Sequence, residues 1–151
     1  MTSLVIYYSR SGKTREVAEV IKEEKNADIV EIKEKSNRSG ALGFIKGAVD
    51  SVRNAKTEIT PTTVDLSGYD TVYIGTPVWA SKPAPAIIKL IENCNFNGVK
   101  VITFATMMSS GGDKTVKTMN DSIKIKGGEV LKSFSIITKG TDISSLTKKA
   151  L

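Results

Sequence analysis

The chain predicts an α/β protein, a doubly wound five-stranded parallel sheet with helices on both faces. Two observations carry this. Several short runs are almost continuously apolar, as strands buried on both faces must be, and they alternate with segments whose apolar residues recur at helical spacing. The turns after three of those runs are rich in glycine, hydroxyls or proline. In a parallel sheet such turns converge beyond the carboxyl ends of the strands, where ligands bind.

The elements follow in order. Leu4–Ser9 reads as a first strand and Thr14–Glu24 as a first helix, with Val17, Ala18, Val20 and Ile21 in its pattern. Asp28–Lys33 alternates apolar and polar residues, as a strand nearer an edge does. Ser36–Ser39 is loop-like, and Gly40–Val52 has helical spacing weakened by Gly43 and Gly47. Thr57–Leu66 is polar, contains Pro61 and reads as a loop. Thr71–Gly75 is a third strand, Pro85–Asn93 a helix, Lys100–Ala105 a fourth strand and Thr115–Lys126 a helix. Glu129–Ile137 holds a fifth strand. Asp142–Leu151 is a closing helix with Asp142 as its N-cap.

Bulk composition bounds the function. A length of 151 residues, 40% hydrophobic and 25% charged, predicts one domain over residues 1–151 with room for a core. No apolar run approaches the ~20 residues a membrane helix needs, and no signal peptide is apparent. The single cysteine, Cys94, rules out an intramolecular disulfide and agrees with a reducing cytoplasm. The chain has no histidine, so histidine triads and histidine-rich metal sites are excluded. Net charge is +6, and residues 114–151 hold 8 Lys against 3 Asp or Glu. Such a surface meets an acidic protein or an anionic ligand, or is simply a solvated lysine-rich face. Its basic residues are scattered singly, which argues against nucleic acid.

The first turn, Ser9-Arg10-Ser11-Gly12-Lys13-Thr14, is a candidate phosphate cradle. Backbone N–H groups at a helix start are unpaired and the dipole there favours an anion. Ser9, Ser11 and Thr14 add hydroxyls, Gly12 allows close backbone approach, and Lys13 adds charge. A P-loop needs glycine where Tyr7 stands, and a dinucleotide fingerprint needs three spaced glycines where only Gly12 occurs. A C-x5-R phosphatase needs arginine at Lys100, and a receiver domain needs carboxylates at Tyr8-Ser9 and Gly75-Thr76.

The second turn runs from Gly75 to Pro85 and carries the only tryptophan, Trp79, between prolines 77 and 83. Trp79 is either buried by the neighbouring helix or offered as a plane to a flat ligand. The third turn, Thr106-Met107-Met108-Ser109-Ser110-Gly111-Gly112-Asp113, has a glycine pair that lets backbone approach a ligand and two adaptable methionines. Together the turns make room for a phosphate at one end and a flat ring at the other.

On these residues the chain resembles the flavodoxin-like family. The matching stretches are Tyr7–Thr14, Gly75-Thr76-Pro77-Val78-Trp79, and Phe104 to Asn120. Gly43-Phe44-Ile45-Lys46-Gly47 is similar to the same region of short flavodoxin-like proteins. The resemblance implies a short-chain flavodoxin fold of strand order 2-1-3-4-5 that binds FMN non-covalently. Carried over by position, Ser9, Arg10, Ser11, Gly12, Lys13 and Thr14 would form the phosphate loop. Thr76, Pro77, Val78, Trp79 and Ala80 would flank the isoalloxazine, and Thr106, Met107, Gly111 and Gly112 would lie at its far edge. No catalytic side chain and no metal is implied.

Two departures shape the functional expectation. Electron-carrying flavodoxins are usually acidic, whereas this chain has a pI near 9.4. Met107 or Met108 also stands where many of them place a tyrosine. The resemblance implies a low-potential electron carrier, here with an acidic, ferredoxin-like partner. An open ring also suits an NAD(P)H-dependent FMN oxidoreductase of quinone-reductase type. A binding module holding only an inorganic anion is a third reading. Monomer and homodimer both fit.

Overall fold

Successive residues of a strand point to opposite sides of a sheet, and in this chain both sides are apolar. The computed structural model describes residues 2–34 and 58–151. Its strands are β1 (Ser3–Tyr7), β2 (Asp28–Glu31), β3 (Lys33–Glu34), β4 (Ile59–Thr60), β5 (Thr71–Trp79), β6 (Lys82–Pro83), β7 (Lys100–Met107) and β8 (Glu129–Ile137). The helices are α1 (Lys13–Lys25), α2 (Pro85–Asn93), α3 (Gly112–Ile125) and α4 (Ile143–Ala150).

Five strands form the parallel sheet in the order β2-β1-β5-β7-β8. With the long strands alone numbered along the chain, this is the expected 2-1-3-4-5 order. The difference lies in three short strands that the pattern does not predict. β6 folds back on the end of β5, and β3 pairs antiparallel with β4 as a separate two-stranded sheet.

Leu4, Ile6, Val72, Ile74 and Val101 face α2 and α3, meeting Ile87, Leu90, Ile91, Met119 and Ile123. Val5, Tyr7, Tyr73, Ile102 and Phe104 face α1 and α4, meeting Val17, Ala18, Ile21 and Ile143. Each fully buried Val, Leu or Ile is worth about 1.5–3 kcal/mol, so neither layer is dispensable. This two-sided burial is why the strands read as apolar runs.

The local signals behave as their chemistry requires. Pro85 opens α2, where its missing N–H costs no helical bond. Asp142 caps α4, its carboxylate accepting the Ser145 N–H at 3.2 Å. Asn26 ends α1 in the left-handed conformation, with the Ala27 N–H returning to Lys22 O.

Several boundaries move. The expected strand Asp28–Lys33 breaks after Glu31: Ile32 still donates to Tyr7 O at 2.8 Å, and the chain then turns so that Lys33–Glu34 pairs with β4. The expected loop Thr57–Leu66 therefore contains a strand from residue 59. β5 and β7 extend past Gly75 and Ala105, and α3 begins at Gly112 rather than Thr115. In β8 Leu131 bulges out of the register between Val101 and Ile102. The expected loop Ser36–Ser39, the helix Gly40–Val52 and the Gly43–Gly47 stretch lie outside the described residues. Among the described residues, no helix is long and apolar enough to cross a membrane.

Candidate functional site

The first turn joins β1 to α1. Gly12 adopts φ 95°, ψ −6°, a left-handed conformation that glycine takes without steric cost. Its N–H donates to Ser9 Oγ at 3.0 Å, and its carbonyl accepts the first helical bond, from Glu16 N–H at 3.0 Å. The N–H groups of residues 13 to 15 thus precede the first possible helical pairing and face the turn. Arg10, Ser11 and Lys13 are exposed, while Ser9 and Gly12 are half-buried. A β-carbon placed on Gly12 would meet nothing within 4 Å, so the space beside this backbone is open. The donor set of N–H groups, hydroxyls and two cations is that of an anion site.

The second segment is a hairpin, not the loop the prolines imply. β5 runs through Trp79, Ala80–Ser81 form a two-residue turn, and β6 returns with Trp79 opposite Lys82 and Val78 opposite Pro83. Both turn residues have positive φ, 51° and 62°. Two such residues define the I′-type connection that matches strand twist. The Thr76 side chain is spent internally: its hydroxyl accepts the Ala84 N–H at 2.9 Å and donates to Pro77 O. Ala80 is exposed, and Pro77, Val78 and Trp79 are half-buried.

Trp79 matches neither simple expectation. It is neither swallowed by a helix nor a bare plane. Tyr8 stands perpendicular to it with ring centroids 5.6 Å apart, and the Arg10 guanidinium lies 5.8 Å from the indole centroid. Tyr8 in turn donates its phenol to Glu34 Oε1 at 2.6 Å. No motif in the sequence marks this use of Tyr8. Its place between a strand of buried residues and a turn was the available signal.

In the third segment β7 ends at Met107 and Gly111 precedes α3 at φ 94°, ψ −6°, nearly the same conformation as Gly12. The glycine pair was expected to let a ligand approach. In the structure it also lets protein approach. A β-carbon on Gly111 would lie 2.8 Å from Val78 Cγ1, and one on Gly112 would run into Ser135 Oγ and lie 2.9 Å from Met107 Sδ. Both glycines also line a groove of about 510 Å³, bounded further by Ser81, Met107, Ser109, Ser110, Asp113 and Lys114. Met107 is half-buried and Met108 is 67% exposed.

Three contacts stitch the segments together in pairs. Arg10 on Trp79 joins the first to the second. Thr14 and Thr106, both buried, share a hydrogen bond of 2.8 Å that joins the first to the third. Gly111 against Val78 joins the third to the second. All the candidate residues therefore lie on one end of the sheet, at the carboxyl ends of β1, β5 and β7. The arrangement has a cluster of N–H groups, hydroxyls and cations at one side and the half-buried indole of Trp79 beside it.

The neighbouring Tyr7 and Arg15 belong to the scaffold. Burial raises the Tyr7 phenol above its ordinary value, and hydrogen bonds to Tyr7 and Glu31 raise the Arg15 guanidinium further above its own. Arg15 Nη2 lies 2.6 Å from Glu31 Oε2 and ties α1 to β2.

The same fold recurs in known proteins. A candidate flavoprotein from Bacteroides uniformis superposes with a TM-score of 0.84 at 24% identity, covering 99% of this chain and 97% of that one. A flavoprotein from Lactobacillus acidophilus, solved in complex with FMN, gives 0.72 at 24% identity and 99% coverage of both chains. Two-electron reduced flavodoxin from Megasphaera elsdenii gives 0.58 at 15% identity, covering 99% of this chain and 98% of that one. These likenesses show the fold. No curated protein matches the chain. The family model described as Flavodoxin matches residues 2–142, and the chain belongs to the flavodoxin family.

Proposed function

We propose that the chain is an FMN-dependent redox protein acting as a low-potential electron carrier. The observation that carries this reading is the adjacency of the Ser9–Thr14 turn and Trp79, bridged by Arg10. It is the outline of a flat ring tethered to a phosphate. The residues fit that group: open space beside Gly12 admits a phosphate to the α1 N-terminus, and a half-buried indole stands next to it. The family and the FMN held by the Lactobacillus acidophilus relative support the same cofactor.

In this reading the N–H groups at the start of α1 and the hydroxyls of Ser9, Ser11 and Thr14 bind the phosphate. Lys13 and Arg10 offset its charge. Trp79 and Val78 flank one side of the ring, and Met107 with the backbone at Gly111 and Gly112 bounds the far edge. Thr76 and Pro77 contribute backbone, since the Thr76 hydroxyl is already bonded. Bound FMN supplies reversible one- and two-electron chemistry, and the protein sets its potential through nearby charge and hydrogen bonds. The exposed cations Arg10, Lys13, Lys82 and Lys114 at this end favour an acidic redox partner of ferredoxin-like character.

One observation favours a second reading. Met108 is exposed and the third segment carries no aromatic residue, which leaves a ring edge accessible to a nicotinamide donor. An NAD(P)H-dependent oxidoreductase would use that opening. Titrating the purified protein with FMN tests the cofactor: uptake gives a yellow protein, and a colourless protein that takes up none would sink the proposal. Anaerobic mixing with NADPH then separates the two readings. Slow or absent bleaching, with two resolved one-electron steps on chemical titration, supports the carrier; rapid bleaching supports the oxidoreductase.

A further inference from the structure

We propose that Asn120 is a positioning residue of the candidate site. With Thr103 and Ser133 it closes a ring of hydrogen bonds that holds α3 in one rotation on the sheet. That rotation sets the Gly111–Gly112 turn against the far edge of the flavin, so the inference rests on the flavin reading above.

The ring lies in a layer that is otherwise apolar. Val101 and Ala105 of β7 pack there with Val116, Met119 and Ile123 of α3. Thr103, between the two β7 residues and on the same side of the strand, is fully buried. Its hydroxyl donates to Asn120 Oδ1 at 2.7 Å and meets Ser133 Oγ at 2.6 Å, while Asn120 Nδ2 donates to Ser133 Oγ at 2.9 Å. A hydroxyl has one proton. Thr103 gives its own to the amide, so Ser133 gives its own to Thr103, and each of the three groups donates once and accepts once. Turning the amide over reverses all three bonds and keeps the circuit closed. Bonds in such a circuit polarise one another, and breaking one leaves a polar group stranded against apolar neighbours. Apolar side chains accept small rolls of a helix, whereas this circuit closes in one arrangement only.

The circuit is one of two places where α3 rests on β8. Ser133 and Ser135 stand opposite Thr103 and Ala105 and point to the same side of the sheet. Ser135 lies against Gly112, where an added β-carbon would run into its Oγ, and Ser133 holds Asn120. Asn120 is about 12 Å further along the helix axis than Gly112. Close approach at Gly112 alone leaves the helix able to roll and pivot about its start. With Asn120 held as well, the roll is fixed. So too are the direction of the backbone groups at Gly111 and Gly112 and the width of the groove that they line.

The test measures urea midpoints and the affinities of FMN and riboflavin. Asn120→Leu keeps the bulk and breaks two of the three bonds, and Ser133→Ala removes the link to β8. Each is expected to lower the urea midpoint and to weaken both flavins by a common factor of about two- to tenfold, the net worth of a hydrogen bond. The factor is common because the phosphate turn opens α1, on the opposite face of the sheet from α3. The triple change Thr103→Val, Asn120→Leu and Ser133→Ala strands no polar group, so its urea midpoint is expected to return toward that of the wild type. Its flavin affinity is expected to stay low, since an apolar contact does not fix the roll. A triple variant that binds both flavins as the wild type does overturns the proposal. So do single variants that lose stability without losing flavin affinity, or that lose FMN affinity more than riboflavin affinity. Should the triple variant not fold, the two single variants decide. A wild type that takes up no FMN overturns the flavin reading instead. The roll of α3 is then read from backbone amide NMR shifts of residues 111–115 in Ser133→Ala: displaced shifts support it, and unchanged shifts overturn it.

Discussion

Thr14 on α1 and Thr106 on β7 are 92 residues apart in sequence, yet their hydroxyl oxygens meet at 2.8 Å in a buried contact. It fixes the start of α1 against the third segment, and so sets the first turn relative to the end of β7. Replacing either hydroxyl by a methyl group leaves the other without its partner. Thr14→Val and Thr106→Val should each cost about 1–3 kcal/mol in urea unfolding. The double variant should cost less than the sum, because no hydroxyl is then stranded. Their effects on FMN should differ. Thr14→Val removes a proposed phosphate ligand and should weaken FMN about tenfold or more, the worth of a hydrogen bond to a charged group. Thr106→Val should weaken it less. Equal losses would mean that the pair acts only by positioning.

Gly12 and Gly111 share a backbone conformation within a degree in φ, but they have different neighbours. An added β-carbon would be in open space at Gly12 and 2.8 Å from Val78 at Gly111. Both alanine variants carry the left-handed strain of roughly 1–2 kcal/mol. Gly111→Ala should lose roughly a further 1–3 kcal/mol through crowding of the hairpin. Chemical denaturation of the two variants side by side measures the packing term with the backbone term held constant.

That pair also marks what sequence can and cannot convey. Both glycines were legible as turn residues before helices, but what each one admits was not. Open space and a neighbouring side chain look alike until the hairpin is placed. β5 shows the same limit. Thr76-Pro77 reads as the start of a loop because proline lacks a ladder donor. In the fold β1 ends opposite Gly75 and β6 pairs only from Val78 onward, so among the described residues Pro77 has a strand partner on the β7 side alone, a position where proline is tolerated. α2 and β8 were legible to the residue because Pro85 and the flanking turns act locally. Arg10 on Trp79 was not legible, since it depends on the relative placement of two separate turns.

Three phenols lie above their ordinary value of 10.0. Burial does this for Tyr73 and is the leading cause for Tyr7, whereas at Tyr69 the main cause is its hydrogen bond to Asp28, 2.7 Å long. A raised phenol keeps its proton in the fold after the unfolded chain has lost it. The associated stability is therefore complete below about pH 10 and falls as pH rises from there toward the folded value. Urea midpoints should drop steeply on the alkaline side. Tyr73→Phe should flatten that drop with little change near neutrality, and Tyr69→Phe should also lose stability at neutral pH because its hydrogen bond is gone. An unchanged alkaline slope in Tyr73→Phe would refute the assignment.

The hairpin tip offers the sharpest separation of stability from binding. Ala80 and Ser81 both hold positive φ, which side chains other than glycine and asparagine adopt at a cost of roughly 1–2 kcal/mol each. Asn-Gly is the pair that suits this turn. Ala80→Asn with Ser81→Gly should therefore stabilise the apoprotein by about 1–2 kcal/mol, read as a higher urea midpoint. The ladder pairs Val78–Pro83 and Trp79–Lys82 are untouched by the change, so Trp79 keeps its place and FMN affinity should stay within about twofold. A stabilised variant that binds FMN much more weakly would show instead that the strain in the turn is held for binding, released as the ring docks.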